Sequence, residues 1–186
     1  MKSSYKENNY QEVFAAIIAA FCPLRCVELG VLHGYSTFAI GAALKRLGRG
    51  ELHAFDLFDD YEFNHSREED VRMMFNKCDN VHIFKHDAFT VHDRYEDRCV
   101  DLLHVDLSNS GDTVKMIMER WDRKMVHGGI ILFEGGTEER DNVEWMTKYA
   151  KPPIKPELET NQIIADNYIF GTYLKFPGLT MLLKKR

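Results

Sequence analysis

Two kinds of hydrophobic spacing alternate along this chain. Short, continuous runs rich in β-favouring residues read as buried strands: Arg25–Leu29, Glu51–Phe55, Asn80–Lys85, Val100–Val105 and Ile130–Phe133. Between them, apolar positions recur three and four residues apart, the period of one helix face. Tyr10, Val13, Phe14, Ile17, Ile18 and Phe21 mark a first helix. Ser36–Leu47 forms a second, stopped by Gly48, and Arg67–Lys77 a third. Thr113–Met125 carries Val114, Ile117, Met118, Trp121 and Met125 on one face, and Asn142–Ala150 is a further helix. Lys151–Pro156, with three prolines, is expected to interrupt regular helix. Tyr168–Leu174 and Leu179–Leu183 then read as strands joined by Lys175-Phe176-Pro177-Gly178, a connection short enough to require an antiparallel hairpin.

Alternating strands and helices predict a parallel sheet covered on both faces. Right-handed crossovers would place every strand's carboxyl end on the same edge, where such sheets bind ligands. Acids stand at or just beyond those ends: Glu28, Asp56, Asp87, Asp106 and Glu134. Each alone is explained as a cap or turn former. Together they are expected to make a negative rim around one crevice, favouring a cation or a ligand rich in hydroxyl and amino groups.

Composition narrows the reading. The chain has 186 residues, 45% apolar and 28% charged, which fits one soluble domain spanning 1–186. No apolar run approaches the length of a membrane span. Net charge is -5, which argues against a nucleic-acid-binding face. The four cysteines, Cys22, Cys26, Cys78 and Cys99, form no CxxC pair, so reduced thiols in a cytoplasmic protein are expected. Val13–Cys22 imitates a signal-peptide core, but Glu7 and Glu12 interrupt the basic flank and the spacing is helical. His82 and His86 have the four-residue spacing of a helical zinc pair, yet fall on a strand entering a loop. There that spacing does not join the rings, and His53, His65, His92 and His127 show no partner pattern.

The first turn is the most informative segment, Val27-Glu28-Leu29-Gly30-Val31-Leu32-His33-Gly34-Tyr35-Ser36-Thr37. Gly30 and Gly34 allow close approach of backbone to a ligand, and the turn opens a helix whose free N–H groups face the edge. A dinucleotide site would need G-x-G-x-x-G, whereas the spacing here is G-x-x-x-G after an acid. Glu28 would repel a pyrophosphate and attract an ammonium group. This E-x-G-x-x-x-G turn resembles the first motif of class I S-adenosylmethionine-dependent methyltransferases. The resemblance continues, in family order over about residues 25–135, through four more segments. They are His53-Ala54-Phe55-Asp56, His86-Asp87-Ala88-Phe89, Asp101-Leu102-Leu103-His104-Val105-Asp106 and Gly128-Gly129-Ile130-Ile131-Leu132-Phe133-Glu134. It implies a doubly wound, Rossmann-like, mostly parallel seven-stranded sheet with helices on both faces and a C-terminal antiparallel hairpin.

The resemblance also implies roles. Glu28 would face the methionine ammonium of S-adenosylmethionine, and Gly30, His33 and Gly34 would lie against its methionine part. Tyr35 and Ser36 would meet its carboxylate, Ser36 serving equally as an N-cap. Asp56 would accept both ribose hydroxyls, with Leu57 and Phe58 walling the adenine. Asp87 would accept from the adenine amino group, and the Ala88 N–H would meet a ring nitrogen. Asp106 would stand at the methyl-transfer centre.

For a hydroxyl acceptor, a base or metal must help remove the proton. Asp106 is the first candidate and Glu134 the second, while His104, deeper on the same strand, is expected to be buried and satisfied. Catechol-type relatives hold a divalent metal such as magnesium with three side chains. The third position here is Gly135, so that metal is not favoured. Where the subgroup carries a histidine, this chain has Asn109, which takes no proton at neutral pH. The expected function is O-methylation of a small-molecule acceptor, a sugar or natural-product intermediate, without nucleic-acid or membrane partners. Self-association remains a way to complete the pocket. The alternatives are a non-catalytic cofactor-binding module and, less favoured, a nicotinamide-dependent oxidoreductase.

Overall fold

The computed structural model describes residues 4–186, in two compact units that divide between Arg94 and Tyr95. Among the described residues, seven strands form a mostly parallel sheet ending in an antiparallel pair, as the alternating pattern predicts.

In the first unit, α1 (Ser4–Glu7) and α2 (Tyr10–Phe21) precede β1 (Arg25–Leu29), α3 (Tyr35–Leu47), β2 (Glu51–Asp56), α4 (Glu68–Phe75) and β3 (Val81–Lys85). Its strands lie in the order β3-β2-β1, all parallel. Tyr10, Phe14 and Ile18 form the buried stripe of α2, with the Tyr5 ring 5.3 Å from Phe14. Each such buried side chain contributes about 1.5–3 kcal/mol. The first helix of the sequence is therefore a packed element, as expected.

The second unit holds β4 (Val100–Val105), α5 (Gly111–Trp121), β5 (Met125–Glu134), α6 (Glu138–Asp141), α7 (Glu144–Lys148), α8 (Ile154–Thr160), α9 (Gln162–Asn167), β6 (Tyr168–Tyr173) and β7 (Leu179–Lys184). β4 runs parallel to β5, β5 antiparallel to β7, and β7 antiparallel to β6. The expected hairpin is present, with Thr172 facing Thr180 across it at 2.9 Å between hydroxyl oxygens.

Several boundaries differ from those expected: the helix expected over Asn142–Ala150 is the shorter α7, α6 and α9 are additional helices, and two further differences have a clear physical cause. Met125 does not close the helix of Val114, Ile117, Met118 and Trp121. Asp122–Lys124 tightens into a 3₁₀ turn and Met125 begins β5. Buried Lys124 fixes that turn, donating to the Tyr95 carbonyl at 2.7 Å and to Asp97 Oδ1 at 2.9 Å. The second difference is α8, which starts at Ile154 inside the proline-rich stretch. Pro156 falls in its first turn, where no N–H is needed for an intrahelical bond, so the ring is tolerated. No helix among the described residues is long and apolar enough to cross a membrane, and all four cysteines are free.

Candidate functional site

The site-bearing residues of the first unit converge on the turn after β1. The Gly30 N–H donates to the Phe55 carbonyl at 2.9 Å, carrying the β1–β2 pairing past the strand end. Gly34 is the N-cap of α3 at φ +76, and a Cβ there would meet Phe75 Cε2 at 2.8 Å. Both its backbone angle and its surroundings therefore require glycine. Because a glycine caps the helix, no side chain closes the first turn of α3. Ser36 sits inside the helix and is not the cap. The amide groups at Tyr35 and Ser36 begin a 13-residue helix with the positive end of its dipole at the turn. His33 and Tyr35 are half-buried beside it.

Beneath the turn lies Glu28, fully buried, its Oε2 accepting the Thr37 hydroxyl at 2.5 Å. Asp56, at the end of β2, binds the turn from the other side. Its Oδ2 accepts the Val31 and Leu32 N–H groups at 2.7 and 2.9 Å. Its Oδ1 accepts the Phe58 N–H at 2.7 Å and Asn64 Nδ2 at 2.8 Å. Four donors fill the roughly four acceptor positions of a carboxylate. In this arrangement the chain's own donors hold Asp56. Phe58 is fully buried, so it is a core residue and not an open adenine wall, while Leu57 is half-buried. Asp87 Oδ1 accepts the Phe89 N–H at 2.9 Å, a local turn, and Ala88 is buried next to it. The His86 N–H donates to the Asp56 carbonyl at 2.9 Å, so the Asp87 turn is tied to the end of β2.

The second unit collects another cluster. Asp106 is half-buried just beyond β4, and His104 is fully buried, as expected of it. Asn109, also fully buried, donates through Nδ2 to the carbonyls of Val105 and Glu134, both at 2.9 Å. It clamps the ends of β4 and β5, and that geometric task accounts for an amide at this position. Glu134 receives a bidentate contact from Arg140, Nε to Oε1 at 2.7 Å and Nη2 to Oε2 at 2.9 Å. Trp145 covers the guanidinium, its ring centroid 5.0 Å away. Burial disfavours charge on both partners and lifts the Glu134 carboxyl, against the pull of Arg140. Burial likewise pulls Arg140 down, but Glu134, aided by Asp106 and Asp141, outweighs it and leaves Arg140 above its usual value. A guanidinium gripping both oxygens holds the pair in its ionic form. Arg140 Nη1, buried, has no hydrogen-bond partner among the described residues.

Both Glu134 oxygens are engaged, so in this arrangement Glu134 is a positioning group for Arg140, not an available base. Glu28 is 0% exposed, Glu134 5% and Asp56 9%, each accepting donors from its own unit, while Asp87 and Asp106 are half-buried. The residues also do not fit a catechol-type magnesium site. Glu134 is committed, and a side chain at Gly135 (φ +111) would strike Ile154 Cδ1 at 2.6 Å. Arg140, Asn64 and Thr37 were missed from sequence. The only local hint was a lone cation in the acidic run Glu138-Glu139-Arg140-Asp141. A hollow of about 440 Å³ is lined by Glu138, Asp141, Met146, Lys151 and Glu159 among others. Its walls include neither Asp106 nor Glu134, so its size alone does not make it the reaction site.

A family model described as a methyltransferase domain matches residues 27–134, more than half of the chain. Solved structures share the fold at low identity. A methyltransferase from Geobacter sulfurreducens is 14% identical, with a TM-score of 0.67 over 98% of this chain and 84% of that one. A methyltransferase from Podospora anserina, solved with S-adenosylhomocysteine, is 17% identical, with a TM-score of 0.65 over 100% of this chain and 80% of that one. The O-methyltransferase TomG from Streptomyces achromogenes, involved in tomaymycin synthesis and solved with S-adenosylmethionine, is 12% identical. Its TM-score is 0.67 over 98% of this chain and 86% of that one. No curated protein sequence matches the chain.

Proposed function

Because the chain belongs to the methyltransferase-domain family, we propose that this S-adenosylmethionine-dependent enzyme methylates an oxygen of a small-molecule acceptor such as a sugar or natural-product intermediate. The observation that carries the cofactor assignment is the first turn. It sets a buried carboxylate, Glu28, beneath a helix N-terminus that no side chain caps. An amino acid zwitterion matches that pair of charges: ammonium toward Glu28, carboxylate toward the amides at Tyr35 and Ser36. A nicotinamide dinucleotide does not match it, and the family match sets that alternative aside.

Asp56 organises this turn through its backbone bonds. A ribose hydroxyl would reach its Oδ1 by replacing the Asn64 amide, the one donor of the four that belongs to a side chain. Gly30, His33 and Gly34 would line the methionine part, Leu57 the adenine, and Asp87 and Ala88 its polar edge.

Bound S-adenosylmethionine supplies an electrophilic methyl group on a sulfonium. The residues of this chain bind, orient and take a proton. Asp106, half-buried and adjacent in charge to Arg140, would hold the acceptor hydroxyl and receive its proton as the oxygen bonds to the methyl carbon. The carbon–sulfur bond breaks in the same step, and its electron pair leaves with S-adenosylhomocysteine. Arg140, fixed by Glu134 and Trp145, would steady the acceptor oxygen through its unpartnered Nη1.

Isothermal titration with S-adenosylhomocysteine tests the cofactor assignment. The expected result is saturable binding, weakened by about 1–3 kcal/mol in Glu28→Gln. Absence of binding by a folded protein would overturn it. Transfer of a labelled methyl group to a panel of hydroxylated acceptors tests the oxygen assignment; turnover on amines or thiols alone would refute it.

A further inference from the structure

We propose that Glu51, His53 and His82 form a binding site for a zinc-type divalent transition-metal ion at the amino-terminal end of β2 and β3. The three side chains share one sheet face. Glu51 and His53 are two apart on β2, and the parallel register sets His53 opposite His82 on β3. His53 Nε2 lies 3.6 Å from Glu51 Oε1, and His82 Nε2 lies 3.7 Å from Glu51 Oε2. All the candidate ligand atoms fall within 4.8 Å of one another. Zinc–ligand bonds near 2.1 Å give a tetrahedral edge of about 3.4 Å, so the two Glu51–histidine separations lie within a few tenths of an ångström of it, and side-chain rotation must close the widest pair by up to about 1.4 Å.

The setting favours a ligand. α3 packs on the opposite face: a Cβ at Gly41 would meet Val81 Cγ2 at 2.5 Å, and Val81 precedes His82 by one residue. The connection after β3 contributes only a 3₁₀ turn, Val91–Arg94, before the first unit ends. The side chains of His53, His82 and Glu51 are accordingly 25%, 42% and 43% exposed. Phe84 braces the His53 ring edge-on at 5.7 Å, and the two imidazoles meet at 73°, not stacked. Arg25 is the register partner of Glu51 on β1.

Two imidazoles and one carboxylate suit zinc, cobalt, nickel or copper. Magnesium and calcium prefer all-oxygen shells. Three protein ligands would leave a position for water, and the ion would clip β2 to β3. Glu51 stands five residues before Asp56 on the same strand, about 17 Å away. The site is thus separate from the turn around Glu28, and its metal affinity does not rest on the function proposed above.

The test uses the full chain without an affinity tag, stripped with a chelator and titrated with zinc chloride by calorimetry and with cobalt(II) by visible absorption. The expected result is one equivalent bound in the micromolar range or tighter. Cobalt should show the bands of a tetrahedral site without thiolate charge transfer, and zinc should raise the melting temperature. His82→Ala and Glu51→Gln should each weaken zinc binding about tenfold or more, since even outer-sphere partners account for 10–100-fold. Their melting in chelator and their affinity for S-adenosylhomocysteine should stay at the parent values. Failure of the parent to bind zinc, unchanged affinity in both variants, or a thiolate spectrum would overturn the proposal.

Discussion

Asp56 Oδ2 accepts the backbone N–H of Leu32 at 2.9 Å while Leu32 sits in the left-handed region at φ +50. The same carboxylate, through Oδ1, holds Phe58, also at φ +50. Left-handed backbone in a branched or aromatic residue costs about 1–2 kcal/mol. A hydrogen bond to a charged group returns about 1.5–3 kcal/mol. One acid therefore stabilises two strained residues, one within the candidate cofactor turn and one just after β2.

Removing that charge should destabilise the protein before any ligand is added. Asp56→Asn is expected to lose about 3 kcal/mol of unfolding free energy, because an amide presents donors where three backbone N–H groups converge. Urea denaturation of the ligand-free protein measures it. A ligand-free stability equal to the parent's would leave Asp56 with a cofactor role only.

Glu134 and Arg140 should behave as a unit. Glu134→Leu or Arg140→Met alone leaves a buried group with a lost partner and is expected to cost about 3–5 kcal/mol. The double substitution Glu134→Leu with Arg140→Met should cost less than the sum of two singles. A double-mutant cycle in denaturant checks this; strict additivity would show that the two do not interact energetically.

Asp106→Asn should separate chemistry from binding. Turnover is expected to fall about 10²–10⁴-fold if Asp106 takes the acceptor proton, with affinity for S-adenosylhomocysteine nearly unchanged. Equal losses in both quantities would make Asp106 a cofactor ligand instead.

Asp97 supplies a pH signature. The hydrogen bond from buried Lys124, chiefly, holds its carboxyl below the ordinary value of 3.8. With the folded value depressed, its contribution is complete above that ordinary value and disappears as pH falls through the lower folded value. Asp97→Asn should therefore lower the urea midpoint at neutral pH, and the difference from the parent should vanish in strong acid. A difference that persists at the lowest pH would assign the effect to packing, not charge.

The alternation of strands and helices, the hairpin and the glycine turn after Glu28 were all readable in the chain. So was the burial of His104 within an apolar run. These are local properties: periodicity records which face of an element meets the core, and a glycine or a cap records a backbone angle. Partner choice is not local. Pro156 could be placed in the first turn of α8 only once the helix start was known. That Asp56 bonds four donors of its own unit, that Glu134 belongs to Arg140 and that Asn109 is a clamp emerged only from folding. His53 has no partner pattern along the sequence, yet parallel register sets it opposite His82, 29 residues on. Hydrogen-bond and ion-pair partners are set by distances between elements, and a one-dimensional pattern carries burial but not those distances.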